Sequence, residues 1–419
     1  MSQFLIKGGN TLSGNWRVQG MKNAATPILA ATLLTRERCV IRNIPRISDL
    51  EHMLAILEDL GAAIEWLDDH TISIQTKTIT KSKMDYLLTK RMRSSVLFIG
   101  PILATMGTVT MPEPGGCNIG NRPLDTHFSA LEDMGAVIEK EETYYTISGD
   151  KLQGGTITLK ERSVTATENA MMAASLIPET TILNNVAREP HVVNLAAFLE
   201  QMGVEVSGAG SDAITIHGKK KLHGAEIDII PDQLEIGTIA VLAALCGDDM
   251  RIGPVVPEDM EVILDQLRCA GVDVTEDGTS WIVRNSREAL KPFTVETAPY
   301  PGFPTDLQAP FGMLATQAPG SSTVIDGMYE NRLGYFEELI KMGADAKVID
   351  AHRAVVKGPT PLSGQEINSL DLRAGATLII AALSARGETL LHEAENIDRG
   401  YEFVDERLRL IGADITRID

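Results

Sequence analysis

The hydrophobic and polar positions of this 419-residue chain follow one pattern that recurs six times. In each copy a stretch with helical periodicity ends in Leu, two residues, an apolar residue and Gly, and an alternating apolar segment follows. Glycine adopts the left-handed conformation that closes a helix, and the alternation predicts a strand hairpin. The glycines lie 74, 68, 68, 72 and 69 residues apart, at Gly61, Gly135, Gly203, Gly271, Gly343 and Gly412. The repeat therefore predicts six similar units.

Each unit also carries a second apolar segment dense in small residues, which is typical of a buried helix. These segments begin near polar or charged residues, at Lys22, Arg93, Thr167, Glu235, Asp306 and Asp371. Helix N-termini favour anions, so the six starts are candidate anion contacts. Two helices and several strands in each unit predict an α/β fold with three units in each of two domains. A polar cleft between the two domains is the expected binding site.

Composition and charge narrow the function classes. A chain of 419 residues exceeds what one hydrophobic core usually supports, which also favours two domains. The formal net charge is −19, from 38 basic and 57 acidic residues, and it disfavours partners such as nucleic acids and anionic membranes. The most apolar stretches are too short to span a bilayer, and no secretory signal is evident. We therefore expect a soluble cytoplasmic protein, while the oligomeric state stays open.

The cysteines and histidines indicate neither a disulfide framework nor a metal site. The four cysteines, Cys39, Cys117, Cys246 and Cys269, are scattered, which favours reduced thiols. The eight histidines show no paired metal-ligand spacing. Neither a phosphate-binding P-loop nor a dinucleotide fingerprint is present. No cofactor is therefore expected.

One loop carries candidate chemistry. Residues 112–125 read PEPGGCNIGNRPLD, so that Cys117 lies among glycines and prolines, as catalytic groups on loops commonly do. Arg122 follows five residues later, and a nearby cation stabilises the reactive thiolate form of cysteine. Taken alone, an incidental loop cysteine is the competing interpretation.

The segment PGGCNIGNRPLD resembles the active-site loop of the UDP-N-acetylglucosamine 1-carboxyvinyltransferases, a family of enolpyruvyl transferases. Further segments match that family in order along the whole chain: MKNAATPILAATLL (21–34), AREPHVVNLAAFLEQMG (187–203), PGFPTDLQAP (301–310), YENRLGYFEELIKMGA (329–344), DLRAGATL (371–378) and NIDRGYE (396–402). The resemblance implies a two-domain inside-out α/β barrel fold, with three βαβαββ units in each domain. It implies that residues 1–21 and 230–419 form a discontinuous first domain, and that residues 22–229 form a second domain carrying the Cys117 loop. The active site is then expected in the cleft between them.

The resemblance also implies an activity, the first committed step of peptidoglycan synthesis. The enolpyruvyl group of phosphoenolpyruvate is transferred to the 3-hydroxyl of UDP-N-acetylglucosamine, and phosphate is released by addition and elimination. Such a reaction needs an acid for the methylene carbon, a base for the sugar hydroxyl and cations around phosphate and carboxylate. These two compounds are the expected partners of the protein.

Catalytic roles follow from the resemblance position by position. Cys117 matches the general acid, which also attaches covalently to phosphoenolpyruvate in the family. Asp306 matches the aspartate that removes the sugar hydroxyl proton, and its position also suits a helix N-cap. Lys22, Arg122 and Arg399 match residues that gather the phosphate.

Binding roles follow in the same way. Arg332 and Arg373 match cations at the enolpyruvyl end, where the planar guanidinium group suits carboxylate and phosphate. Further positions match residues that contact or place the UDP-sugar, namely Asn23, Arg93, Pro123, Leu124, Asp125, Ser163, Val164, Met328 and Asp371.

The sequence departs from the family pattern at a few positions. Gln233 replaces a frequent Arg, Thr165 replaces the usual Gly after Ser-Val, and Met21 replaces a small residue. Thr165 raises the question of how closely the backbone approaches the diphosphate, because Gly adopts conformations that Thr does not. Two alternatives to the main interpretation stay open. One is a 5-enolpyruvylshikimate-3-phosphate synthase, and the other is a noncatalytic relative that binds UDP-sugar.

Overall fold

The computed structural model describes residues 2–115, 119–120, 122–149 and 151–418. Strands and helices are interspersed along the whole of this part, with two or three strands in succession between helices at several places. The strands, numbered in chain order, are β1 Gln3–Lys7, β2 Asn15–Arg17, β3 Cys39–Arg42, β4 Ala63–Trp66, β5 Ile72–Gln75, β6 Thr108–Pro112, β7 Val137–Lys140, β8 Tyr144–Ser148, β9 Gly155–Thr158, β10 Thr180–Asn184, β11 Glu205–Ser207, β12 Ala213–His217, β13 Glu226–Asp228, β14 Met250–Gly253, β15 Val274–Asp277, β16 Ser280–Val283, β17 Thr294–Thr297, β18 Gly320–Asp326, β19 Asp345–Asp350, β20 Arg353–Gly358, β21 Glu366–Asn368, β22 Glu388–His392 and β23 Asp414–Ile418.

The helices are of two kinds, α-helices and short 3-10 turns. The α-helices are α1 Lys22–Ala31, α2 Ser48–Asp59, α3 Tyr86–Lys90, α4 Ile99–Met106, α5 Asp125–Asp133, α6 Val164–Ala174, α7 Pro190–Gln201, α8 Gln233–Cys246, α9 Pro257–Cys269, α10 Gln308–Ala315, α11 Tyr335–Lys341, α12 Leu372–Ser384 and α13 Val404–Leu410. The 3-10 helices are Thr32–Leu34, Arg93–Phe98, Thr305–Leu307 and Ala394–Asn396. Among these helices of the described residues, none combines the length and apolar character that crossing a bilayer requires.

The strands form small sheets that share one topology. The strand orders are β21-β22-β1-β23, β11-β12-β10-β9, β13-β3-β5-β4, β15-β16-β14-β2, β17-β18-β20-β19 and β6-β8-β7. Each four-stranded sheet contains one parallel pair at an edge and antiparallel pairs elsewhere. In the three-stranded sheet, an isolated parallel bridge between Lys83 and Thr110 lies where the other sheets have their parallel edge strand. The predicted mixed α/β fold of repeated units is confirmed.

The six repeat glycines do what their positions predict. Each follows the end of a helix, after α2, α5, α7, α9, α11 and α13. Their φ angles lie between +88° at Gly271 and +108° at Gly343, which is the left-handed region. Glycine enters this region without the steric penalty of a Cβ, so the turn from helix to strand depends on it.

The chain divides into two compact units. Of the described residues, the first unit contains 2–19, 119–120 and 231–418, and the second contains 20–115, 122–149 and 151–230. Three sheets belong to each unit. In the first unit the apolar helices α8, α10 and α12 contact one another, and in the second unit α6 contacts α1 and α4. The active-site cleft expected from the sequence stays a prediction.

Two of the six predicted buried helices begin differently from the expectation. The segments at Arg93 and Asp306 open as 3-10 helices and continue as α4 and α10. A proline, Pro101 or Pro310, occupies the first turn of each α-helix. Proline is tolerated there because the first-turn N–H groups have no helical acceptor, and it restricts the residues before it. The regular α-helix therefore begins just ahead of each proline.

Candidate functional site

The first unit brings three of the predicted site residues together. Arg332 Nη1 donates a hydrogen bond to Asp306 Oδ1 at 2.7 Å, and Arg373 Nε donates to Asp306 Oδ2 at 3.4 Å. The Arg332 and Arg373 side chains are largely buried, with 10% and 5% of their surfaces exposed, while 23% of the Asp306 side chain is exposed. One partly accessible carboxylate therefore lies between two shielded cations.

Asp306 reaches this position through local backbone structure. It lies in the 3-10 helix Thr305–Leu307, whose N-cap is Pro304, and no side chain caps either this helix or α10. The N-cap alternative for Asp306 is therefore wrong, because its carboxylate is directed to the two arginines. Asp371 does cap a helix, since its Oδ1 accepts the backbone N–H groups of Arg373 and Ala374 at 2.8 and 3.0 Å.

Arg373 is held by a directional hydrogen-bond chain. Its Nη1 donates to the Tyr401 hydroxyl at 3.2 Å, and the Tyr401 and Thr238 hydroxyls are 3.0 Å apart. Thr238 donates its own proton to the Leu234 carbonyl at 2.8 Å. Tyr401 consequently donates to Thr238 and accepts from Arg373. Asp232, which caps α8, lies 3.9 Å from Arg373 Nη2 through Oδ2.

Burial and charge oppose one another in this cluster. Burial acts to lower the pKa of Arg373, but Tyr401, Asp232 and Asp306 outweigh it and the pKa is raised. The Arg332 pKa is likewise raised, because Asp306 and neighbouring carboxylates outweigh the effect of burial. Both guanidinium groups therefore stay protonated. For Asp232, burial exceeds the attraction of Arg373 and raises the pKa of its carboxyl.

A fully buried carboxylate, Asp326, organises the segments on either side of Asp306. Its Oδ2 accepts from Thr305 Oγ1 at 2.7 Å, and its Oδ1 accepts from Thr297 Oγ1 at 3.0 Å. The same Oδ1 accepts the backbone N–H groups of Met328 and Tyr329 at 2.9 and 3.2 Å. The predicted nucleotide contact Met328 is thus placed by its backbone, while its side chain is exposed.

Arg399 lies half-buried in a turn that is anchored next to it. Arg417 makes a two-point contact with Asp398, at 2.8 and 2.7 Å from Nη1 and Nη2. A Cβ on Gly400 would approach the Leu372 side chain to 2.7 Å, so glycine permits the turn to pack against the start of α12. Both contacts fix the backbone that carries Arg399.

The second unit holds a separate set of predicted residues. Lys22 opens α1, and its Nζ donates to Asp49 Oδ2 at 3.1 Å. Asn23 follows it, half-buried. Arg93 Nη2 donates to the Arg122 backbone carbonyl. The loop then continues through exposed Pro123 and buried Leu124 into α5, which begins at exposed Asp125.

Ser163 and Val164 lie at the start of α6. The Ser163 hydroxyl accepts the Ala166 N–H at 3.4 Å and caps the helix. Thr165 lies in the first helical turn and is not among the residues with positive φ. The substitution of Thr for the usual Gly therefore needs no left-handed backbone, and it adds a hydroxyl at this point.

Cys117, the predicted general acid, lies outside the described residues. Of the other cysteines, Cys39 and Cys246 are buried, and burial raises the pKa of the Cys39 thiol to about 11. Cys269 is exposed. Beyond Cys117, the Ile119 carbonyl accepts the Asn331 N–H at 3.2 Å, one residue before Arg332.

Several contributors were not predicted as site residues. Asp232 and Tyr401 hold Arg373, and Asp326 holds the backbone around Asp306. Tyr401 lies two residues after Arg399 within the segment NIDRGYE, so the sequence could have indicated it as a site residue. Asp326 lies at the end of β18, and no sequence motif indicates its role. In the part of the chain the structure describes, no group of three or more His, Cys, Asp or Glu residues is arranged to hold a metal ion.

Comparison with known proteins defines the class. A family model described as EPSP synthase (3-phosphoshikimate 1-carboxyvinyltransferase) matches residues 6–408. The enolpyruvyl transferase NikO from Streptomyces tendae superimposes with a TM-score of 0.90 at 24% identity, covering 99% of this chain and 98% of that chain. EPSP synthase from Acinetobacter baumannii gives a TM-score of 0.74 at 20% identity, covering 100% of both. The chain belongs to the enolpyruvyl transferase family.

Within that family, relatives that match the whole chain carry the name UDP-N-acetylglucosamine 1-carboxyvinyltransferase. UDP-N-acetylglucosamine 1-carboxyvinyltransferase 1 of Carboxydothermus hydrogenoformans is 44% identical over 419 residues, covering 100% of this chain and 99% of the relative. The UDP-N-acetylglucosamine 1-carboxyvinyltransferase of Desulfatibacillum aliphaticivorans is 43% identical over 418 residues, covering 100% of both. The resemblance found in the sequence is confirmed.

Proposed function

We propose that this protein transfers the enolpyruvyl group of phosphoenolpyruvate to the 3-hydroxyl of UDP-N-acetylglucosamine and releases phosphate. The observation that carries the proposal is the identity of up to 44%, end to end, with relatives that bear the name of this activity. The identity with EPSP synthase structures is only 20%. The UDP-sugar is therefore the favoured acceptor over shikimate 3-phosphate. Transfer to this acceptor is a step of peptidoglycan synthesis.

The cluster at Asp306 supports the chemistry of the acceptor. Asp306 is proposed as the base that takes the proton of the sugar hydroxyl, and its carboxylate is the partly exposed member of the cluster. Arg332 and Arg373 are proposed to face the enolpyruvyl carboxylate, since guanidinium groups that stay protonated when buried suit an anionic substrate. Their contacts with Asp306 also hold the base in place before substrate binds.

The proton and bond changes balance over two steps. In the addition, the sugar oxygen bonds to C2 of the enolpyruvyl group, Asp306 takes the hydroxyl proton, and Cys117 gives a proton to C3. In the elimination, the Cys117 thiolate takes a proton back from C3 and the C2–O bond to phosphate breaks, which regenerates the double bond. The proton held by Asp306 passes to the departing phosphate, so that both side chains return to their starting states. Lys22, Arg122 and Arg399 are proposed to stabilise the phosphate as it leaves.

The remaining predicted residues are proposed to place the UDP-sugar. They are Asn23, Arg93, Pro123, Leu124, Asp125, Ser163, Val164, Met328 and Asp371. Asp371 is engaged as the cap of α12 and acts on Arg332 through its charge, so its proposed contribution is to hold that helix end.

Phosphate release from phosphoenolpyruvate tests the proposal, with UDP-N-acetylglucosamine or shikimate 3-phosphate as acceptor. We expect release only with the UDP-sugar, and a reduced rate in Cys117→Ser. Release only with shikimate 3-phosphate would show that shikimate 3-phosphate, and not the UDP-sugar, is the acceptor. The absence of release with both, together with retained binding of UDP-N-acetylglucosamine by calorimetry, identifies a noncatalytic UDP-sugar-binding protein and overturns the proposal.

A further inference from the structure

Three side chains of the second unit form a hydrogen-bonded line that ends at Thr165. Asn169 Nδ2 lies 3.1 Å from His127 Nδ1, and His127 Nε2 lies 3.0 Å from Thr165 Oγ1. Asn169 and His127 are buried, whereas Thr165 is half-buried in the first turn of α6. The line therefore runs from the core of the unit to a half-buried threonine at the start of α6.

The direction of the first bond is fixed by the backbone. Asn169 Oδ1 accepts the Gly100 N–H at 2.7 Å, and Nδ2 donates to the Val96 carbonyl at 2.9 Å. These two contacts exclude a flipped amide, since a flip would set donor against donor and acceptor against acceptor. The second Nδ2 proton is consequently directed at His127 Nδ1. This nitrogen must accept, and therefore it carries no proton.

The protonation of His127 fixes the second bond. Burial, with a smaller effect from the positive charge of Arg93, lowers the pKa of His127 to about 3, so the ring is neutral near pH 7. With Nδ1 unprotonated, the ring proton is on Nε2 and is donated to Thr165 Oγ1. In the described residues this is the one hydrogen bond that Thr165 Oγ1 makes. Its own proton is left to be donated to another acceptor.

We propose that Thr165 is a specificity-determining hydrogen-bond donor to the diphosphate of the UDP-sugar, and that His127 is the positioning residue that fixes its direction. This inference rests on the proposed function. Because the Thr165 hydroxyl already accepts a hydrogen bond from His127, its own proton is the part that it offers to a ligand. It therefore favours a ligand group that carries only acceptor atoms, such as a diphosphate, over a group that would have to donate a hydrogen bond to it. The positive charge of Arg93 acts on His127 and favours an anion in the same region. The glycine usual at this position in the family offers no such donor.

Binding measurements with the full chain test the proposal. Thr165→Val preserves the side-chain shape and removes the hydroxyl, whereas Thr165→Ser keeps it. We expect calorimetry to show UDP-N-acetylglucosamine binding about tenfold weaker in Thr165→Val and within about threefold of wild type in Thr165→Ser, because a hydrogen bond to a charged group contributes about one power of ten. Uridine, which lacks phosphates, should bind both variants like wild type. Thr110→Val, in β6, controls for the substitution itself.

A second measurement reads the hydrogen-bond line directly. Nitrogen NMR of the histidine ring in the wild-type protein should show His127 protonated at Nε2, unprotonated at Nδ1 and unchanged from pH 5 to 8. The opposite tautomer, or equal binding of UDP-N-acetylglucosamine by Thr165→Val and Thr165→Ser, overturns the inference and leaves the proposed function standing. A wild-type protein that binds no UDP-N-acetylglucosamine overturns both.

Discussion

Arg332 Nη1 lies 2.7 Å from Asp306 Oδ1, in a pair in which the arginine is the more deeply buried partner. Twenty-six residues separate the two along the chain, and each is placed by a different segment around the fully buried Asp326. A buried cation is costly unless it is paired, so this contact fixes the orientation of Asp306 before any substrate arrives.

Replacing Asp306 with Asn tests the proposed base. The amide keeps the shape of the side chain and one acceptor oxygen for Arg332, replaces the acceptor of the weaker Arg373 contact with an NH2 group, and does not take a proton at neutral pH. We expect kcat for phosphate release to fall about 10²–10⁴-fold, as is typical for loss of a general base, with KM for UDP-N-acetylglucosamine within about threefold. Asp265→Asn, on the exposed face of α9, should match wild type. A kcat within threefold of wild type for Asp306→Asn would show that Asp306 is not the base.

The Tyr401 hydroxyl is expected to act through Arg373. Tyr401→Phe leaves Arg373 Nη1 without this acceptor and should lower the free energy of unfolding by about 1 kcal/mol. Because Arg373 is proposed to face the enolpyruvyl carboxylate, KM for phosphoenolpyruvate should rise about 3–10-fold, more than KM for the UDP-sugar. Steady-state kinetics and urea unfolding measure the two effects. Tyr145→Phe, in β8 of the second unit, is the control; a stability loss without a change in KM makes Tyr401 purely structural.

Cys117 is expected to react with fosfomycin, an epoxide that mimics phosphoenolpyruvate. A loop thiol with Arg122 nearby in sequence favours attack by the thiolate. Intact-mass spectrometry in the presence of UDP-N-acetylglucosamine should show one adduct on wild type and none on Cys117→Ser. Cys269→Ser removes the exposed thiol of the described residues and should retain the adduct. An adduct that persists in Cys117→Ser contradicts the assignment.

Glu168 is expected to make the stability of the second unit depend on pH. Burial, with a smaller effect from Glu189, raises the pKa of Glu168 well above its ordinary value, so the folded protein holds a proton that the unfolded chain releases above about pH 4.5. Its contribution to stability is therefore complete below that pH and is lost as pH rises, with a limiting slope of about 1.4 kcal/mol per pH unit.

Glu168→Gln should accordingly raise the free energy of unfolding at pH 8, and the gain should shrink toward pH 5. Urea unfolding at several pH values measures this difference against wild type. Glu200→Gln, on the exposed surface of α7, should show no such trend. A constant difference across the pH range would show that Glu168 does not titrate between the two states.

The sequence by itself determined the repeated unit and the family. The glycine after each surface helix is a local requirement, because the left-handed turn depends on one residue and its neighbours. The apolar, small-residue segments are likewise local signals, and they became the buried helices α1, α6, α8 and α12, together with α4 and α10 after short 3-10 turns. Segments such as NRPLD and NIDRGYE identified the family, and the similarity to its members confirms it.

Only the tertiary structure decided which groups meet. The position of Asp306 in the sequence also suited a helix N-cap, but its carboxylate contacts Arg332 and Arg373, which are 26 and 67 residues away. Tyr401 and Asp232 likewise come from different units of the repeat to hold one guanidinium group. The hydrogen bonds that join Asn169, His127 and Thr165, and the direction in which each one donates, cannot be predicted from the spacing of these residues along the chain. Such contacts depend on how separate helices pack and on which buried groups remain to be paired, and neither is a property of a local sequence window.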